Sequence, residues 1–218
     1  MNIREATISD ISFLAQAIIE AEKSSTDVLS YTTVFGLSED QTHRYLSDML
    51  GEEIDGCELS ISSFLVAEEL GVQVGAVSGW IEGADGISST VLKGNLLSYT
   101  LPKTCLEKAA SIYPLLKKLN IDYIQGAIHK GAGYVIPEYR GQGVLKILTE
   151  EIIRHLVHQR PEIPAVYTQI YGSNFRAIHA NQKSGFELVA RKVCPNKEIL
   201  KYLPSDSKIM MKKELIKK

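Results

Sequence analysis

The chain has 218 residues, of which 44% are hydrophobic, enough for one well-buried core and at most a small extra lobe. Its formal net charge is −2, with both signs spread along the sequence, so we expect no nucleic-acid partner. The N-terminus lacks a signal-peptide pattern, and no apolar stretch reaches the length of a membrane span. We therefore expect a single domain over residues 1–218, located in the cytoplasm, with no membrane partner.

The metal-ligating residue types are scattered. Cys57, Cys105 and Cys194 are far apart and show no metal-ligand spacing, which is typical of free thiols in a reducing compartment. His155 and His158 share a helix face, but no third ligand accompanies them. We expect no bound metal.

The N-terminal half alternates strand and helix signals. A short strand over residues 3–6 precedes a helix opened by a capping box of Thr7 and Asp10, and Ser38 opens a second helix in the same way. Residues 24–37 are polar and include Gly36. Two alternating apolar runs, Phe64 to Glu69 and Val72 to Ile81, predict an antiparallel hairpin.

Between these elements lies an acidic run, Glu52, Glu53 and Asp55. Such a run could attract a cationic amine, but the commoner explanation is a solvated helix end.

A segment at about residues 84–119 exceeds what a compact core needs and contains a predicted helix over Leu106 to Lys118. It could form a lid or a wall of a binding pocket, or else an added packing element. A homodimer contact through this segment stays open.

The C-terminal half predicts further strands and helices. A fourth strand runs from Tyr123 to Val135, a helix follows from Val144 and ends before Pro161, and a fifth strand covers Ala165 to Tyr171. Two closing strands are predicted over 186–193 and 207–215. The tail lysines are explained by the solubility of an edge strand: Lys212, Lys213, Lys217 and Lys218.

The stretch from Val135 to Leu148, V-I-P-E-Y-R-G-Q-G-V-L-K-I-L, joins the fourth strand to the next helix through a glycine-bracketed turn. Gly141 and Gly143 can adopt backbone angles that other residues avoid, so that consecutive N–H groups point at one bound anion. The helix N-terminus adds unpaired N–H groups and the positive end of its dipole. This stretch predicts a phosphate site.

Two common phosphate motifs do not fit this stretch. A P-loop needs Gly-Lys-Ser/Thr, but Val144 and Leu145 follow Gly143. The dinucleotide fingerprint needs a third glycine where Lys146 stands. A nucleoside triphosphate and a dinucleotide are therefore disfavoured.

The stretch resembles the acyl-CoA loop of the GNAT superfamily of N-acetyltransferases, Gln/Arg-x-x-Gly-x-Gly/Ala after a valine that ends the fourth strand. Arg140 and Gly143 fill the first two positions, and Val135 lies five positions before Arg140. Leu145 departs from the third position, where the family usually keeps the backbone bare.

A second resemblance covers N-F-R-A-I-H-A-N-Q-K-S-G-F, from Asn174 to Phe186. GNAT proteins commonly show Asn-x-x-Ala, then Tyr four residues further on, and then Gly-Phe. Asn174, Ala177 and the Gly185-Phe186 pair fit this pattern, whereas Asn181 stands where the tyrosine would be.

The resemblance implies an α/β fold of the α+β type with a mixed, mostly antiparallel sheet of about seven strands, flanked by helices and splayed between the fourth and fifth strands. It implies acetyl-CoA as cosubstrate and an amine acceptor as second partner. The cofactor-binding residues that it implies are Gly133, Tyr134, Val135, Arg140, Gly141, Gln142, Gly143, Val144, Leu145, Asn174, Ala177 and Asn181. Backbone N–H groups near Tyr134 and Val135 would stabilise charge on the thioester oxygen.

Two catalytic residues are predicted. His129 is the candidate base, because it lies on the fourth strand and shares strand parity with Gly131, Gly133 and Val135; Glu68 or Glu69 could serve instead. The family's tyrosine normally protonates the leaving thiolate, and asparagine cannot do so. Tyr171 is the named substitute, with Tyr139 and Tyr134 left open.

Two functions remain open at this point. The first is an N-acetyltransferase that transfers the acetyl group from acetyl-CoA to a primary amine of a small molecule or protein, by direct attack in a ternary complex. The second is a catalytically degenerate acyl-CoA-binding sensor or interaction module of the same fold, which the departures at Leu145 and Asn181 would explain.

Overall fold

The computed structural model describes residues 1–52 and 54–215. Its seven strands are β1 (Asn2–Glu5), β2 (Phe64–Glu69), β3 (Val72–Ile81), β4 (Ile128–Val135), β5 (Ala165–Tyr171), β6 (Glu187–Val193) and β7 (Ser207–Glu214). They form one sheet in the order β1-β2-β3-β4-β5-β7-β6. Every neighbouring pair is antiparallel except β4 and β5, which are parallel. The expected mixed, mostly antiparallel sheet is confirmed.

Helices cover both faces of this sheet. They are α1 (Ile11–Lys23), α2 (Ser30–Phe35), α3 (Glu39–Gly51), α4 (Ser89–Thr100), α5 (Lys103–Leu116), α6 (Val144–Gln159) and α7 (Phe175–Lys183). Alternate residues of a strand face opposite sides, so Val77 belongs to the buried cluster that contains Leu148 of α6, while Ala76 belongs to the cluster that contains Leu46 of α3. None of the helices among the described residues is both long and apolar enough to cross a membrane.

Strongly patterned elements lie where the sequence predicts them. The β2–β3 hairpin and β5 have the predicted bounds, and α6 begins at Val144 as expected. Both capping boxes are present: Thr7 N donates to Asp10 Oδ2 at 2.8 Å, and Gln41 N donates to Ser38 Oγ at 3.1 Å. Local polar chemistry therefore fixes where α3 begins and where the 3-10 turn that leads into α1 begins.

The weaker local patterns predicted the structure less completely. The stretch 24–37, for which no element was named, contains α2, whose Tyr31 and Val34 are buried. The segment 84–119 holds two helices, because α4 precedes the predicted one, now α5. The fourth strand begins only at Ile128, since Gly126 turns the chain with φ 73°.

The strand parity expected along β4 is broken by a β-bulge. The register with β3 shifts between Val77 and Gly79, so two residues of β4 lie opposite one of β3. A Cβ on Gly131 would meet Ser78 Oγ at 2.6 Å, whereas a Cβ on Gly133 would meet Leu145 Cδ1 at 2.9 Å on the α6 side. Gly131 and Gly133 therefore face opposite sides of the sheet, and the single-face prediction was wrong.

The predictions for the charged segments have mixed outcomes. Glu53, Lys217 and Lys218 lie outside the described residues. Lys212 and Lys213 belong to β7, which lies between β5 and β6 rather than at an edge, so the edge-strand explanation was wrong.

Candidate active site

The sheet opens between its two parallel strands. The pairing of β4 with β5 covers only Ile128 with Val166, His129 with Tyr167, and Lys130 with Thr168. Beyond Lys130 the strands diverge, although β4 continues to Val135 and β5 to Tyr171. The predicted splay is thus confirmed. It leaves a gap lined by the unpaired backbone of both strands, and backbone N–H and C=O groups there are available to a ligand.

A glycine loop, residues 140–143, follows a 3-10 turn at the end of β4 and opens α6. Gly141 has φ 79° and Gly143 has φ 81°, a left-handed conformation that favours glycine. A Cβ at either position would have no heavy atom within 4 Å, so the backbone angle and not the space requires glycine. Both glycines are exposed, which leaves the first N–H groups of α6 accessible to an anion.

Arg140 ties the glycine loop back to the end of β4. Its Nε donates to the carbonyl of Val135 at 2.9 Å, and its guanidinium lies 5.8 Å from the centre of the Tyr134 ring. Ile136 N donates to Val74 O of β3. Because N–H groups alternate sides along a strand, the N–H of Val135 points away from β3 and into the gap.

Leu145, the residue that departs from the family pattern, has its side chain directed at the sheet. Its Cδ1 occupies the space that a Cβ on Gly133 would need. Val144 beside it is buried in the core between α6 and the sheet. The side chain of Leu145 therefore points from α6 toward Gly133 of β4.

Helix α7 brings the predicted asparagines to the other side of the gap. The Oδ1 of Asn174 accepts from Ala177 N at 3.1 Å, which caps the helix, and it also accepts from Ser25 Oγ at 3.4 Å. Asn181 is 7% exposed, and its Oδ1 accepts a hydrogen bond from Lys130 Nζ at 2.7 Å. The gap thus has a polar lining made by β4 and α7 together.

The structure does not bring His129 into the gap. Its ring is 1% exposed and is enclosed by the rings of Trp80, Tyr123 and Tyr167, with centroid distances of 6.0, 4.7 and 5.6 Å. Its Nε2 lies 2.9 Å from Ile124 N and 3.3 Å from Ile124 O, so this ring nitrogen pairs with the backbone of Ile124. Its Nδ1 has no hydrogen-bond partner within the described ranges. Burial lowers the pKa of His129 to about 4.

The alternative bases also lie elsewhere. Glu68 accepts two hydrogen bonds from Arg4, at 3.0 and 2.9 Å, and Glu69 pairs with the N-terminal ammonium of Met1. Both carboxylates belong to the hairpin end of β2, two strands away from the gap.

On the sheet face opposite α6, a cluster of ionisable side chains lies beside the C-terminal end of β5. We call it the charged recess: Glu22, Tyr31, Glu58, Lys93, Tyr123, Tyr171 and Lys208. Glu58 pairs with Lys93 and accepts from the hydroxyl of Tyr123 at 3.1 Å. The Nζ of Lys208 lies 5.7 Å from the centre of the Tyr171 ring. The side chains of Glu58 and Lys93 keep 24% and 30% exposure, so solvent still reaches this pair.

The groups of the charged recess hold one another in defined charge states. Burial acts to raise the pKa of Glu58, but the ammonium of Lys93 outweighs it, so that the pKa lies below its usual value. Burial and the Glu58 carboxylate raise the pKa of Tyr123. Burial likewise raises the pKa of Tyr171 and lowers that of Lys208. At neutral pH the recess presents an ionised carboxylate beside neutral phenols.

Sequence reasoning named only Tyr171 among these residues. Glu58 comes from the loop after α3, Lys93 from α4 and Tyr123 from the loop before β4. No spacing links them, since 65 positions separate Glu58 from Tyr123. Among the described residues, no three side chains of His, Cys, Asp or Glu gather into a set that could hold a metal ion.

A sheet splayed between parallel β4 and β5, with a glycine loop at the end of β4, is the fold of the GNAT N-acetyltransferases, and the chain has this fold. Among solved structures, an N-acetyltransferase from Staphylococcus aureus Mu50 aligns with TM-score 0.66 at 13% identity, over 97% of this chain and 100% of that one. A structure described only as an acetyltransferase aligns with TM-score 0.64 at 16% identity, over 99% and 100%.

A third solved structure carries its cofactor. It is yncA, a putative acetyltransferase from Salmonella typhimurium with acetyl-CoA, and it aligns with TM-score 0.52 at 17% identity, over 100% of this chain and 95% of that one. No family model and no curated protein matches the sequence. At these identities the likeness shows the fold, and the activity has to be argued from the site.

Proposed function

We propose that this protein is an acyltransferase that moves the acetyl group of acetyl-CoA to a primary amine of a small molecule or protein, by direct attack in a ternary complex. The observation that carries the proposal is the gap between β4 and β5, with an accessible glycine loop at one end and the charged recess on the opposite face. A donor and an acceptor could reach the same point of the gap from two sides of the sheet.

The glycine loop supports the donor half of the proposal. The open N–H groups at residues 140–144 suit a pyrophosphate, and Arg140 adds a positive charge beside them. The remaining predicted contacts, Asn174, Ala177 and Asn181, line the α7 side of the gap, where an extended pantetheine arm would run. Leu145 packs against Gly133, so this departure does not count against the cofactor.

The unpaired edge of β4 supports the chemical step. The N–H of Val135 points into the gap and could donate to the thioester oxygen as negative charge develops on it. The N–H of Tyr134 has the opposite direction, toward β3, because it shares the parity of Ile136. We therefore assign charge stabilisation to Val135 and to the equivalent N–H of Gly133.

The charged recess supports the acceptor half. Its ionised Glu58 would attract an ammonium group from solvent, and its phenols offer hydrogen bonds to a polar acceptor. Tyr171 ends β5 at the gap and stays neutral, so it can contact the acceptor amine. The choice of His129 as the base stays a prediction, and its enclosure by aromatic rings favours a structural role instead.

The first experiment is calorimetric titration of the purified protein with acetyl-CoA, with Arg140→Ala/Gly143→Asp as the test variant. The wild type should bind saturably. The variant should lose binding, because it places a carboxylate on a strained backbone beside the N–H groups that would hold the anion. Gly71→Asp is the matched control, since Gly71 also has positive φ, 80°, and open space around it, but lies in the β2–β3 turn.

Turnover completes the test. Thiol release should be measured with a pooled panel of primary amines at saturating acetyl-CoA. A folded wild type that fails to bind acetyl-CoA would overturn the proposal. Binding without thiol release for any amine in the panel would support the degenerate binding module in its place.

A further inference from the structure

One partly buried cation at the start of the gap has no role in the proposed reaction so far. Lys130 is the last residue of β4 that pairs with β5, so its side chain starts where the gap begins. It extends toward α7, where its Nζ donates to Asn181 Oδ1 at 2.7 Å and lies 5.4 Å from the centre of the Phe186 ring. Phe186 is 2% exposed. The ammonium is thus held at the base of the gap by one neutral amide and an aromatic face.

Asn181 is oriented to hold this ammonium. Its Nδ2 donates to the carbonyl of Ala177 at 2.8 Å, so its Oδ1 is the end that faces Lys130. Among the described residues, Lys213 of β7 is the charged group that acts on Lys130, and no carboxylate offsets it. Burial and, to a smaller extent, this like charge lower the pKa of Lys130 to about 8.

We propose that Lys130 is the acid that protonates the leaving thiolate of CoA, with Asn181 as the residue that positions it. This inference rests on the acetyl transfer proposed above. The position of Lys130 at the start of the gap and the hydrogen bond to Asn181 support it.

In the proposed step, proton transfer from Lys130 accompanies cleavage of the thioester. The acceptor nitrogen forms a bond to the carbonyl carbon, and the C–S bond breaks with its electron pair passing to sulfur. Lys130 gives its proton to that sulfur and becomes a neutral amine. The proton lost from the acceptor nitrogen passes to solvent, and Lys130 takes up a proton from solvent before the next turnover.

A lysine in this environment suits the task. A general acid works best when its pKa lies near the working pH and near that of the group it protonates, and a thiol has a pKa of about 8.5. Arginine would keep the charge but could not release a proton near neutral pH. Comparison of lysine with arginine at this position therefore distinguishes donation of a proton from the presence of a positive charge.

The test compares Lys130→Met and Lys130→Arg with the wild type. We expect kcat to fall by about 100-fold in both variants, the lower end of the range for general acid catalysis. The dissociation constant for acetyl-CoA, from calorimetry, should change by less than about threefold in Lys130→Arg, which keeps the charge. Lys103→Met is the control for removal of a lysine, because this side chain is 88% exposed on α5.

Two further readouts distinguish an acid from a structural cation. With acetyl-seleno-CoA, whose selenolate leaves without being protonated, both variants should approach the wild-type rate. In the wild type, kcat for the thioester should decline as pH rises through about 8, the pKa of Lys130, and this limb should be absent in Lys130→Arg.

The inference is overturned if Lys130→Arg keeps the wild-type kcat, or if intact-mass analysis shows that Lys130 itself becomes acetylated during turnover. A wild type without turnover would instead contradict the proposed function. If Lys130→Met does not fold, the arginine variant decides the question, because it preserves the charge and a donor to Asn181.

Discussion

Replacing His129 tests a structural role and a catalytic role with one variant. The wild-type ring is 1% exposed, and burial lowers its pKa from 6.5 to about 4. His129→Gln keeps an acceptor for Ile124 N and removes the titration. Because the predicted base would be lost as well, the same protein reports on catalysis.

The sign of the effect follows from proton linkage. The unfolded chain binds a proton on His129 below about pH 6.5, whereas the folded chain resists protonation until about pH 4, so acid favours unfolding. The neutral ring thus stabilises the fold fully above pH 6.5, and this contribution is lost as the pH falls toward 4. Each pKa unit is worth about 1.4 kcal/mol, so the 1.5 units between pH 6.5 and 5 correspond to about 2 kcal/mol.

The assay is urea unfolding of both proteins at a series of pH values from 7.5 to 5. Between these limits, the wild type should lose about 2 kcal/mol more free energy of unfolding than His129→Gln. His158→Gln, at an exposed position in the last turn of α6, should follow the wild type and serves as the control. If the free energies of unfolding of the wild type and of His129→Gln fell equally between pH 7.5 and 5, the lowered pKa assigned to buried His129 would be refuted.

Turnover of the same variant addresses catalysis. A structural role predicts a kcat within about tenfold of wild type at pH 7.5, whereas removal of a general base costs about 100-fold or more. A loss of that size, with acetyl-CoA binding and the fold intact, would restore His129 as the base.

Two further predictions concern the packing of the glycine loop and the charged recess. Gly133→Ala should lower the free energy of unfolding by about 1 kcal/mol, because its Cβ would crowd Leu145 Cδ1. In urea unfolding, the double variant Gly133→Ala/Leu145→Ala should lose less free energy than the two single variants summed. Additive losses would contradict this contact. Glu58→Gln should raise the KM for the acceptor by about tenfold and leave the dissociation constant for acetyl-CoA unchanged, because it removes the ionised carboxylate of the recess. An effect on acetyl-CoA affinity alone would place Glu58 on the donor side.

The parts of the fold that sequence could predict are those with strong local signals. The β2–β3 hairpin alternates cleanly, α6 has a regular apolar face, and the glycine loop has a fixed spacing. The helix α4 was missed because its residues include Gly94 and several β-branched or hydroxyl side chains that are poor helix formers, with only Ser89 and Leu96 buried. Its helical state depends on packing that a local pattern does not record.

The candidate site divides in the same way. The proposed donor side follows two short motifs, so Arg140 and Gly143 were predicted from the first and Asn174 from the second, and their role in binding stays a prediction. The charged recess joins α1, α2, the loop after α3, α4 and the ends of β5 and β7. The bulge in β4 also cannot be read from alternation, and it is the reason why the shared face expected for His129 and Gly133 was wrong.

Helix α4 has a consequence for how the proposed enzyme could acquire new acceptors. Lys93 is the contribution of α4 to the recess, whereas the glycine loop, α7 and the bulge of β4 all lie outside α4. In the proposed acetyltransferase, changes within α4 would alter the charge and shape presented to the acceptor without disturbing the residues proposed to hold the donor. Acceptor choice would then be a separable trait, which could change with the sequence of α4 while the proposed acetyl transfer stayed the same.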